Sequence, residues 1–456
     1  MSAEDTIVAI ATPPGRGGIA VIRVSGNLAL HTAKVLCNLT PEPRKAYFRK
    51  FMLNNQQIDE GVVLYFKAPN SYTGEDVVEY QGHGGNVAPQ RVLNALLSIE
   101  GIRLAEPGEY TKRAFLNNKM DLTAAEGVED LISAGSDSAA KAALASIDGV
   151  FARHLEVLTE QLTNFRVRLE ACLDFPEEHE DFFDSGKAAD ELLTLKNTAE
   201  KALSIAFQGV KLNEGARIVL AGSPNAGKSS LLNALAGVEK AIVTNIPGTT
   251  RDVLNAEIEI SGVPVNITDT AGIRDTPQDE IEAIGIKKAI AELKKADLVL
   301  FMVDGSNTAP DALETLQKIH QYEPDNKNIL VIVSKADLEQ NADTMKLLDN
   351  GEFKDIQKIH TSTKTEDGLD NLKNALTKAL GIMPVEGVFS ARRRHTANLK
   401  ETIRSLDNAL GILNTGDIVL CAQELMEAQN HLGTITGKVT SDDILGKIFS
   451  TFCIGK

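Results

Sequence analysis

The chain has 456 residues, of which 43% are hydrophobic and 24% charged, and its formal net charge is −16. This length exceeds that of one ordinary domain, so we expect two or three, and the composition is typical of a soluble globular protein. No apolar run approaches the ~20 residues of a membrane span, and the first residues lack the features of a signal peptide, so we expect no membrane span and a cytoplasmic location. The negative charge argues against broad, non-specific adhesion to nucleic acid but is compatible with a local basic groove or with a partner that supplies the positive surface.

Residues 1–118 are predicted to form a compact α+β domain. Its strands are expected at the apolar runs 6–11, 19–24, 62–66 and 77–80, and its helix at 87–99. Two glycine-rich turns, at residues 15–18 and 82–85, could bind an anion, although such segments are more often tight turns alone.

Two helical segments follow, residues 119–210 and 381–456, and an α/β segment, residues 211–380, lies between them. The first helical segment has apolar residues at helical spacing, namely Leu155, Leu158, Leu162, Phe165 and Leu169. The two segments have similar character, and neither alone offers much core. We therefore predict one discontinuous helical domain into which the α/β domain is inserted. Four scattered cysteines predict neither a disulfide framework nor a zinc site.

One stretch of the α/β segment has the pattern of a phosphate-binding loop. Gly222-Ser-Pro-Asn-Ala-Gly-Lys-Ser229 follows the apolar run 218–221 and precedes a predicted helix at 229–235. The glycines let backbone N–H groups curl round an anion. Lys228 adds a full positive charge to that of the helix N-terminus, and the Ser229 hydroxyl can ligate Mg²⁺.

Two further motifs follow in the order that a phosphate-sensing switch requires. Pro247-Gly-Thr-Thr-Arg-Asp252 supplies a threonine that can complete a Mg²⁺ shell when a γ-phosphate is present. Asp269-Thr-Ala-Gly272 ends an apolar strand, where the carboxylate can support Mg²⁺ and the glycine N–H can sense the γ-phosphate.

The last two motifs are predicted to recognise guanine. Asp337 follows the apolar run 329–333, and its carboxylate can accept both the N1–H and the N2–H₂ of guanine, while Lys335 can lie over the base. Residues 360–364 supply a backbone loop for the guanine oxygen. The four motifs predict a guanine-nucleotide domain of the Ras-like P-loop GTPase class. The residues expected to bind GTP are Asn225, Ala226, Gly227, Lys228, Ser229, Ser230, Thr244, Asn245, Ile246, Pro247, Gly248, Thr249, Thr250, Asp269, Thr270, Ala271, Gly272, Ser334, Lys335, Ala336, Asp337, Ser362, Thr363 and Lys364.

Two positions depart from the Ras-like pattern. Ser334 stands where that pattern has asparagine, and a serine is too short to bridge the base and the phosphate loop as an amide does. Ile273 stands where Ras-type enzymes have the glutamine that orients the attacking water, so another group must position that water.

With these motifs in place, the chain resembles the tRNA-modification GTPase family MnmE, also called TrmE, over nearly its whole length. The resemblance rests on the four GTPase motifs and on further segments of both ends of the chain. These are Ala11-Thr-Pro-Pro-Gly-Arg-Gly-Gly18, Tyr72-Thr-Gly-Glu-Asp76, Gln81-Gly-His-Gly-Gly85, Gly108-Glu-Tyr-Thr-Lys-Arg-Ala-Phe115 and the terminal Phe452-Cys-Ile-Gly-Lys456.

The resemblance implies an enzyme that works with the flavoprotein MnmG (GidA), which carries FAD, as a heterotetramer. Together they install an aminomethyl or carboxymethylaminomethyl group at C5 of the wobble uridine, position 34, of certain tRNAs. The resemblance also implies an N-terminal domain that binds a one-carbon tetrahydrofolate and forms the homodimer, and GTP hydrolysis that needs Mg²⁺ and K⁺.

The same resemblance implies roles for individual residues. Mg²⁺ would be held by Ser229 and Thr250, and K⁺ by Asn225, Thr244, Ile246 and Thr249. Folate would be bound by Arg23, Glu79, Lys119 and Lys456. Glu282 would organise the attacking water, although the residues alone favour a surface acid there. Cys453 would meet the one-carbon chemistry, with an inert buried thiol as the equal alternative.

Three alternatives remain open from the sequence. A regulatory GTPase switch in ribosome assembly would carry the same four motifs but needs an RNA-binding module in place of the α+β domain. A stand-alone folate enzyme with a vestigial GTPase is disfavoured by the intact phosphate-loop residues. The run 392–394, Arg-Arg-Arg, is expected to be a solvated helix start rather than a tRNA phosphate contact.

Overall fold

The computed structural model describes residues 5–174, 186–223, 225–238, 255–269, 290–322, 328–382, 388–413, 417–439 and 442–455. The chain divides into two compact units. The first unit comprises residues 1–129, 146–199 and 398–456, and the second comprises residues 130–145 and 200–397. Within the described residues, no helix combines the length and the apolar character that crossing a bilayer requires.

The first unit contains a six-stranded, largely antiparallel sheet. Its strands are β1 (Thr6–Ile10), β2 (Ile19–Ser25), β3 (Tyr47–Leu53), β4 (Gln56–Phe66), β5 (Val77–His83) and β6 (Ile102–Leu104). They lie in the order β3-β4-β5-β2-β1-β6, and only β1 and β6 pair in parallel. The four predicted strands are confirmed, whereas β3 and β6 were not predicted from the sequence.

Helices cover one face of this sheet and a smaller cluster lies on the other. Helices α1 (Ala29–Cys37) and α2 (Ala88–Leu97) pack on the face that carries Val8, Val24 and Tyr80. The opposite face presents Ile7 and Ala9, and α3 (Glu109–Leu116) places the buried Tyr110 against them. Alternate residues of β1 therefore serve two different cores, as the two-residue period of a strand requires.

The remaining helices of the first unit include two long ones that pack together. α6 (Val150–Asp174) packs on α13 (Ile418–Thr436), and the five apolar residues predicted to line its inner face are all buried. α14 (Asp442–Ser450) packs on α3, where Phe449 and Phe452 join a cluster with Leu122. Both units receive residues from α4 (Leu122–Ser133), α5 (Asp137–Ile147), α7 (Lys187–Glu214) and α12 (Arg393–Leu413).

The second unit contains a six-stranded, mostly parallel sheet with helices on both faces. Its strands are β7 (Ala216–Gly222), β8 (Asn255–Ile260), β9 (Val263–Asp269), β10 (Leu298–Asp304), β11 (Asn328–Ser334) and β12 (Lys358–His360). Their order is β12-β11-β10-β7-β9-β8, and only β8 runs antiparallel to its neighbour.

Helices pack on both faces of this parallel sheet. One face is covered by α8 (Lys228–Val238) and α11 (Leu369–Ala379), and the other by α9 (Ala312–Tyr322) and α10 (Ala342–Leu348). α5 (Asp137–Ile147) adds Ala142 to the first of these cores. Such a doubly covered sheet places its ligand site at the C-terminal ends of the strands.

A buried carboxylate joins the segments by which the chain enters and leaves this sheet. Asp130, 4% exposed, accepts hydrogen bonds from Asn213 (2.9 Å), Arg392 (2.8 Å) and the hydroxyl of Ser390. Arg393 pairs with Glu214 at 2.7 Å. The expectation of a merely solvated arginine run is therefore wrong for Arg392, whose guanidinium serves the buried carboxylate.

Candidate functional site

The phosphate-binding loop connects the end of β7 to the start of α8. Gly222 has φ +142°, and a Cβ there would collide with the carbonyl oxygen of Met302, so the chain needs glycine at this position. The Lys228 ammonium donates to the carbonyls of Gly222 (3.0 Å) and Ser223 (3.1 Å). Burial lowers the pKa of Lys228, while the charge of Asp269 opposes that shift. The loop thus holds a desolvated cation at the first turn of a helix.

The other loop residues divide into buried and accessible groups. Ala226 is buried, whereas Ser229 and Ser230 in the first turn of α8 are exposed. Asn225 is exposed and adopts the left-handed conformation, with φ 67°. These positions leave the side chains of Asn225, Ser229 and Ser230 accessible to a ligand.

Asp269 lies at the end of β9, one strand away from the phosphate-binding loop. In the parallel pairing of β7 and β9 its partner is Leu220, two residues before Gly222. Burial raises the pKa of Asp269, and the Lys228 charge acts in the opposite direction. Its Oδ1 is buried and, within the described residues, has no hydrogen-bond partner. A buried carboxylate oxygen with spare coordination capacity beside a phosphate loop suits a divalent cation.

The residues predicted to recognise guanine meet at the end of β11. The Ser362 hydroxyl donates to Asp337 Oδ1 at 2.7 Å, and the Ala336 N–H donates to the Thr361 carbonyl at 3.0 Å. The loop 361–364 and the segment 335–337 are therefore held side by side. Thr363 and Lys364 belong to this loop, and the Lys364 N–H donates to Ser362 Oγ at 3.2 Å.

Ser334 links this base-recognition segment to the phosphate-binding loop. Its buried hydroxyl donates to the carbonyl of Ala226 at 2.7 Å and lies 3.2 Å from that of Val303. The Ser334 side chain is thus long enough to hydrogen-bond to the phosphate-binding loop. The expectation that a serine here is too short to reach that loop is wrong.

Nothing in the sequence indicated that Asp304, at the end of β10, belongs to the site. Its Oδ2 accepts from the Lys335 ammonium at 2.6 Å. Burial by itself raises the pKa of Asp304, but hydrogen bonds from Lys335, Ser306 and Asn307 outweigh it and lower the pKa to about 2. The Lys335 backbone is in the left-handed conformation, with φ 58°. The ion pair with Asp304 fixes the position of the Lys335 side chain.

Several predicted site residues lie outside the described residues. They are Thr244, Asn245, Ile246, Pro247, Gly248, Thr249, Thr250, Thr270, Ala271, Gly272, Glu282 and Lys456.

Two of the predicted folate residues meet in the first unit. Arg23 and Glu79 are direct partners in the pairing of β2 with β5, and their side chains form an ion pair with Nε–Oε1 2.9 Å. The Arg23 guanidinium lies 5.6 Å from the centre of the Tyr72 ring and 5.7 Å from that of Tyr110. The Tyr110 hydroxyl donates to the Arg23 carbonyl at 2.5 Å. The sequence did not point to either tyrosine as a member of this site.

The other members of the predicted folate site lie on neighbouring segments. The exposed Lys119 ammonium donates to the Pro69 carbonyl at 2.9 Å, on the loop that leads to Tyr72. Cys453 is a free, exposed thiol, and its carbonyl accepts from the Gly108 N–H at 3.3 Å. Gly455 packs so closely on the carbonyl of Ile10 that a Cβ there would collide with it. The chain end therefore meets the strand whose Ala9 pairs with Arg23. The exposure of Cys453 overturns the buried-thiol alternative.

The two glycine-rich turns of the N-terminal segment lie side by side. The Gly84 N–H donates to the Gly18 carbonyl at 3.3 Å. Beside them, the exposed His83 ring makes a 2.7 Å hydrogen bond with Asp59, which raises the pKa of His83. The backbone contact therefore joins the two turns to each other.

The second unit has the strand order, the phosphate-binding loop after its first strand and the acidic strand ends of a Ras-like P-loop GTPase domain. A family model described as "GTP-binding protein TrmE N-terminus" matches residues 6–119, and one described as "MnmE helical domain" matches residues 122–453. Similar curated proteins are tRNA modification GTPases MnmE from Shewanella amazonensis, 46% identical, and from Vibrio cholerae, 47% identical; each match covers 99% of both chains. The chain belongs to the MnmE (TrmE) family.

Solved structures with partial similarity are also found. Aquifex aeolicus Era is 24% identical over 41% of this chain and 66% of its own, with a TM-score of 0.30. The G domain of the T. maritima FeoB iron transporter is 27% identical over 36% of this chain and 98% of its own, with a TM-score of 0.27.

Proposed function

We propose that this protein is a GTP-hydrolysing enzyme that modifies the wobble uridine, position 34, of certain tRNAs. Acting with a flavoprotein partner of the MnmG (GidA) type, it installs an aminomethyl or carboxymethylaminomethyl group at C5 with a one-carbon folate. The proposal is supported by the full-length similarity to tRNA modification GTPases and, above all, by the Lys228–Asp269 pair of opposite, desolvated charges at the phosphate-binding loop.

In this proposal the loop binds the β- and γ-phosphates of GTP. Lys228 contributes its charge, and the N–H groups from Asn225 to Ser230 contribute donors at the helix N-terminus. Ser229, Thr250 and Asp269 would hold Mg²⁺, which neutralises phosphate charge when bound. The Asp269 Oδ1, which has no hydrogen-bond partner among the described residues, supports this assignment.

Guanine is recognised by Asp337, whose carboxylate faces two donors that adenine does not present together. Lys335 lies over the base, and its ion pair with Asp304 holds it in place. Ser362 fixes the Asp337 carboxylate through a 2.7 Å hydrogen bond, so the acceptor is oriented before the nucleotide arrives.

Hydrolysis requires groups from segments outside the described residues. Glu282 positions the attacking water, since Ile273 cannot, and Asn225, Thr244, Ile246 and Thr249 hold the K⁺ that promotes the reaction. The exposed, left-handed Asn225 supports a role for its side chain in an ion shell.

The folate site is proposed at Arg23, Glu79, Lys119 and Lys456, with Cys453 close to the one-carbon group. The ion pair of Arg23 with Glu79 occupies one of the five guanidinium donors, and the two flanking tyrosine rings keep its plane fixed. A preorganised guanidinium of this kind suits the carboxylates of a folate glutamate tail.

We further propose that the chain works as a homodimer formed by residues 1–118, associated with the flavoprotein as a heterotetramer in the cytoplasm. Residues 119–210 and 381–456 form its helical domain, and residues 211–380 its GTPase domain.

Wobble-nucleoside analysis of tRNA tests this function. We expect a strain that lacks the protein to lose the C5 modification, a plasmid copy to restore it, and a Lys228→Ala copy to fail. Intact wobble uridines in the deletion strain would refute the proposal, and ribosomal precursors accumulating in their place would favour the regulatory GTPase in ribosome assembly.

A further inference from the structure

A basic and aromatic segment leads into β3, the outer strand of the first-unit sheet, and forms its first four residues. Residues 44–50 read Arg-Lys-Ala-Tyr-Phe-Arg-Lys, four cations in seven positions of a chain with 63 acidic and 47 basic residues. Strand β3 pairs with β4 on one side, and within the described residues no strand pairs with its other edge. We call these seven residues the β3 edge patch.

Except for Tyr47, which is half-buried against the hydrophobic core, the side chains of the patch are exposed. Phe48 is 64% exposed, and the four cations Arg44, Lys45, Arg49 and Lys50 are exposed as well. The Lys45 ammonium and the Arg49 guanidinium lie 5.5 and 5.7 Å from the centre of the Tyr47 ring. Because strand residues alternate, Phe48 and Lys50 lie on the other face.

Two acids moderate the positive charge of the patch. Lys45 forms an exposed 3.1 Å ion pair with Glu42, and Lys50 faces Glu60 in the pairing of β3 with β4. Four cations against two acids still leave two net positive charges, in a chain whose total is −16.

Protection of the sheet edge explains part of this composition. Charged residues on an edge strand discourage pairing with another chain, which accounts for the lysines and arginines. An exposed aromatic side chain on the same strand, that of Phe48, works against that protection. Cations interleaved with exposed aromatic rings are instead the composition of surfaces that bind single-stranded nucleic acid, where rings stack on bases and cations contact phosphates.

We propose that the β3 edge patch binds tRNA, with its cations on the phosphate backbone and Phe48 stacked on an unpaired base. This inference rests on the proposed function, which makes tRNA the substrate. An unpaired loop suits the patch because flat, unstacked bases are accessible there, whereas a regular helix hides them.

The test measures binding of deacylated tRNA to the full-length protein by fluorescence anisotropy at several salt concentrations. We expect Arg49→Ala with Lys50→Ala to weaken binding about 10-fold and to lower the slope of log Kd against log salt by about 1.5, since each lost phosphate contact removes ~0.7–0.9. We expect Phe48→Ala to weaken binding at least 5-fold without changing that slope, and Phe48→Tyr to retain affinity.

A matched control removes the same charge elsewhere. Lys346 and Lys354 are exposed in the second unit, and Lys346→Ala with Lys354→Ala should leave both affinity and slope unchanged. GTP hydrolysis without tRNA should stay within about 2-fold in every variant, which verifies that each one folds.

Three outcomes overturn the proposal. Unchanged tRNA affinity in the patch variants removes the site, and an equal loss in the control reduces it to non-specific charge. Unchanged affinity with lost wobble modification assigns the patch to an acidic protein partner instead. If the patch variants lose affinity while deletion of the gene leaves wobble uridines modified, the RNA site stands and the proposed function fails.

Discussion

The two sheets of this chain carry their candidate sites in different ways. In the parallel sheet of the second unit, Lys228, Asp269, Ser334 and Asp337 lie at or just beyond the C-terminal ends of buried, apolar strands. In the antiparallel sheet of the first unit, Arg23 and Glu79 lie in the middle of neighbouring strands. A sheet covered on both faces has no room for polar groups within its strands, so its chemistry moves to the loops.

A mid-strand site needs other support, because its charges are partly buried in the sheet itself. Arg113 and Arg103 of the first unit form a network with Asp5, Glu75 and Glu109 beneath α3, the helix that carries Tyr110. The first site is thus flanked by a helix that a long-range ion network holds, whereas the second is built by loop contacts between neighbouring strand ends.

The largest expected effect comes from breaking that network. Arg113, 11% exposed at its side chain, donates to Glu109 (2.9 Å), Asp5 (3.0 Å) and Glu75 (3.1 Å). Arg113→Ala leaves three carboxylates without this partner and should lower the free energy of unfolding of the first unit by about 3–5 kcal/mol. Urea unfolding followed by tyrosine fluorescence checks this, since five of the six tyrosines lie between residues 47 and 110.

The exposed Arg91 on α2 provides the control for that experiment. Arg91→Ala should leave the unfolding midpoint unchanged. Equal midpoints for Arg113→Ala and the unsubstituted chain would mean that the network does not stabilise the first sheet.

Acid should reveal the same network through Glu109. Burial alone would raise the pKa of Glu109, but hydrogen bonds from Arg103, the Glu106 N–H and Arg113 lower it from 4.5 to about 2. Since the folded-state pKa lies below the ordinary value, this carboxylate stabilises the fold above pH ~4.5, and the contribution is lost as the pH falls through ~2. The shift corresponds to a decrease of up to about 3 kcal/mol in the free energy of unfolding as the pH falls. Glu109→Gln should abolish this decrease, which unfolding followed by tyrosine fluorescence at several pH values would measure.

Asp304 of the second unit, whose pKa is also about 2, provides the control that distinguishes acid effects on the two units. Asp304→Asn should leave the pH dependence of the tyrosine signal intact, because five of the six tyrosines lie in the first unit. A pH profile that is the same for Glu109→Gln and for the unsubstituted chain would contradict the assignment.

The sequence predicted the parallel sheet and its site better than the antiparallel one for a physical reason. Apolar strands followed by polar loops are contiguous patterns, so the phosphate-binding loop and Asp337 could be found locally. Asp304 could not, because a lone acid after a strand becomes informative only when β10 and β11 pair and bring it opposite Ser334.

The antiparallel sheet depends on distant pairings that no local pattern contains. Arg23 and Glu79 are 56 positions apart, and only the resemblance points to them as site residues. Tyr72 and Tyr110 lie in segments that carry the resemblance, but nothing in the sequence assigns them to the site. β3 escaped prediction because its exposed edge carries charges where alternation would place apolar residues, and β6 because it has three residues.

Guanine selectivity tests the part of the nucleotide site that recognises the base. Asp337→Asn replaces an acceptor-only carboxylate with an amide that mispairs with the guanine N1–H. We expect GTP affinity to fall roughly 30- to 150-fold, equivalent to about 2–3 kcal/mol for lost charge-assisted hydrogen bonds, and xanthosine triphosphate to be preferred instead. Competition binding with a fluorescent GDP analogue measures the affinities for GTP and for xanthosine triphosphate. If the variant still prefers GTP, Asp337 does not recognise the base.

The smallest expected effect concerns the contact that joins the two ends of the nucleotide site. Ser334→Ala removes the hydroxyl that donates to the Ala226 carbonyl at 2.7 Å, so the phosphate-binding loop loses its tie to β11. A single net hydrogen bond is worth about 1 kcal/mol, so we expect GTP affinity to fall about 5-fold with little change in kcat. Thr315→Ala, which removes a hydroxyl that donates to the carbonyl of Asp311 just before α9, serves as the matched control and should leave affinity unchanged. If Ser334→Ala binds GTP as tightly as the unsubstituted chain, strand-end packing alone positions the loop, and the parallel sheet needs even less side-chain support than its antiparallel counterpart.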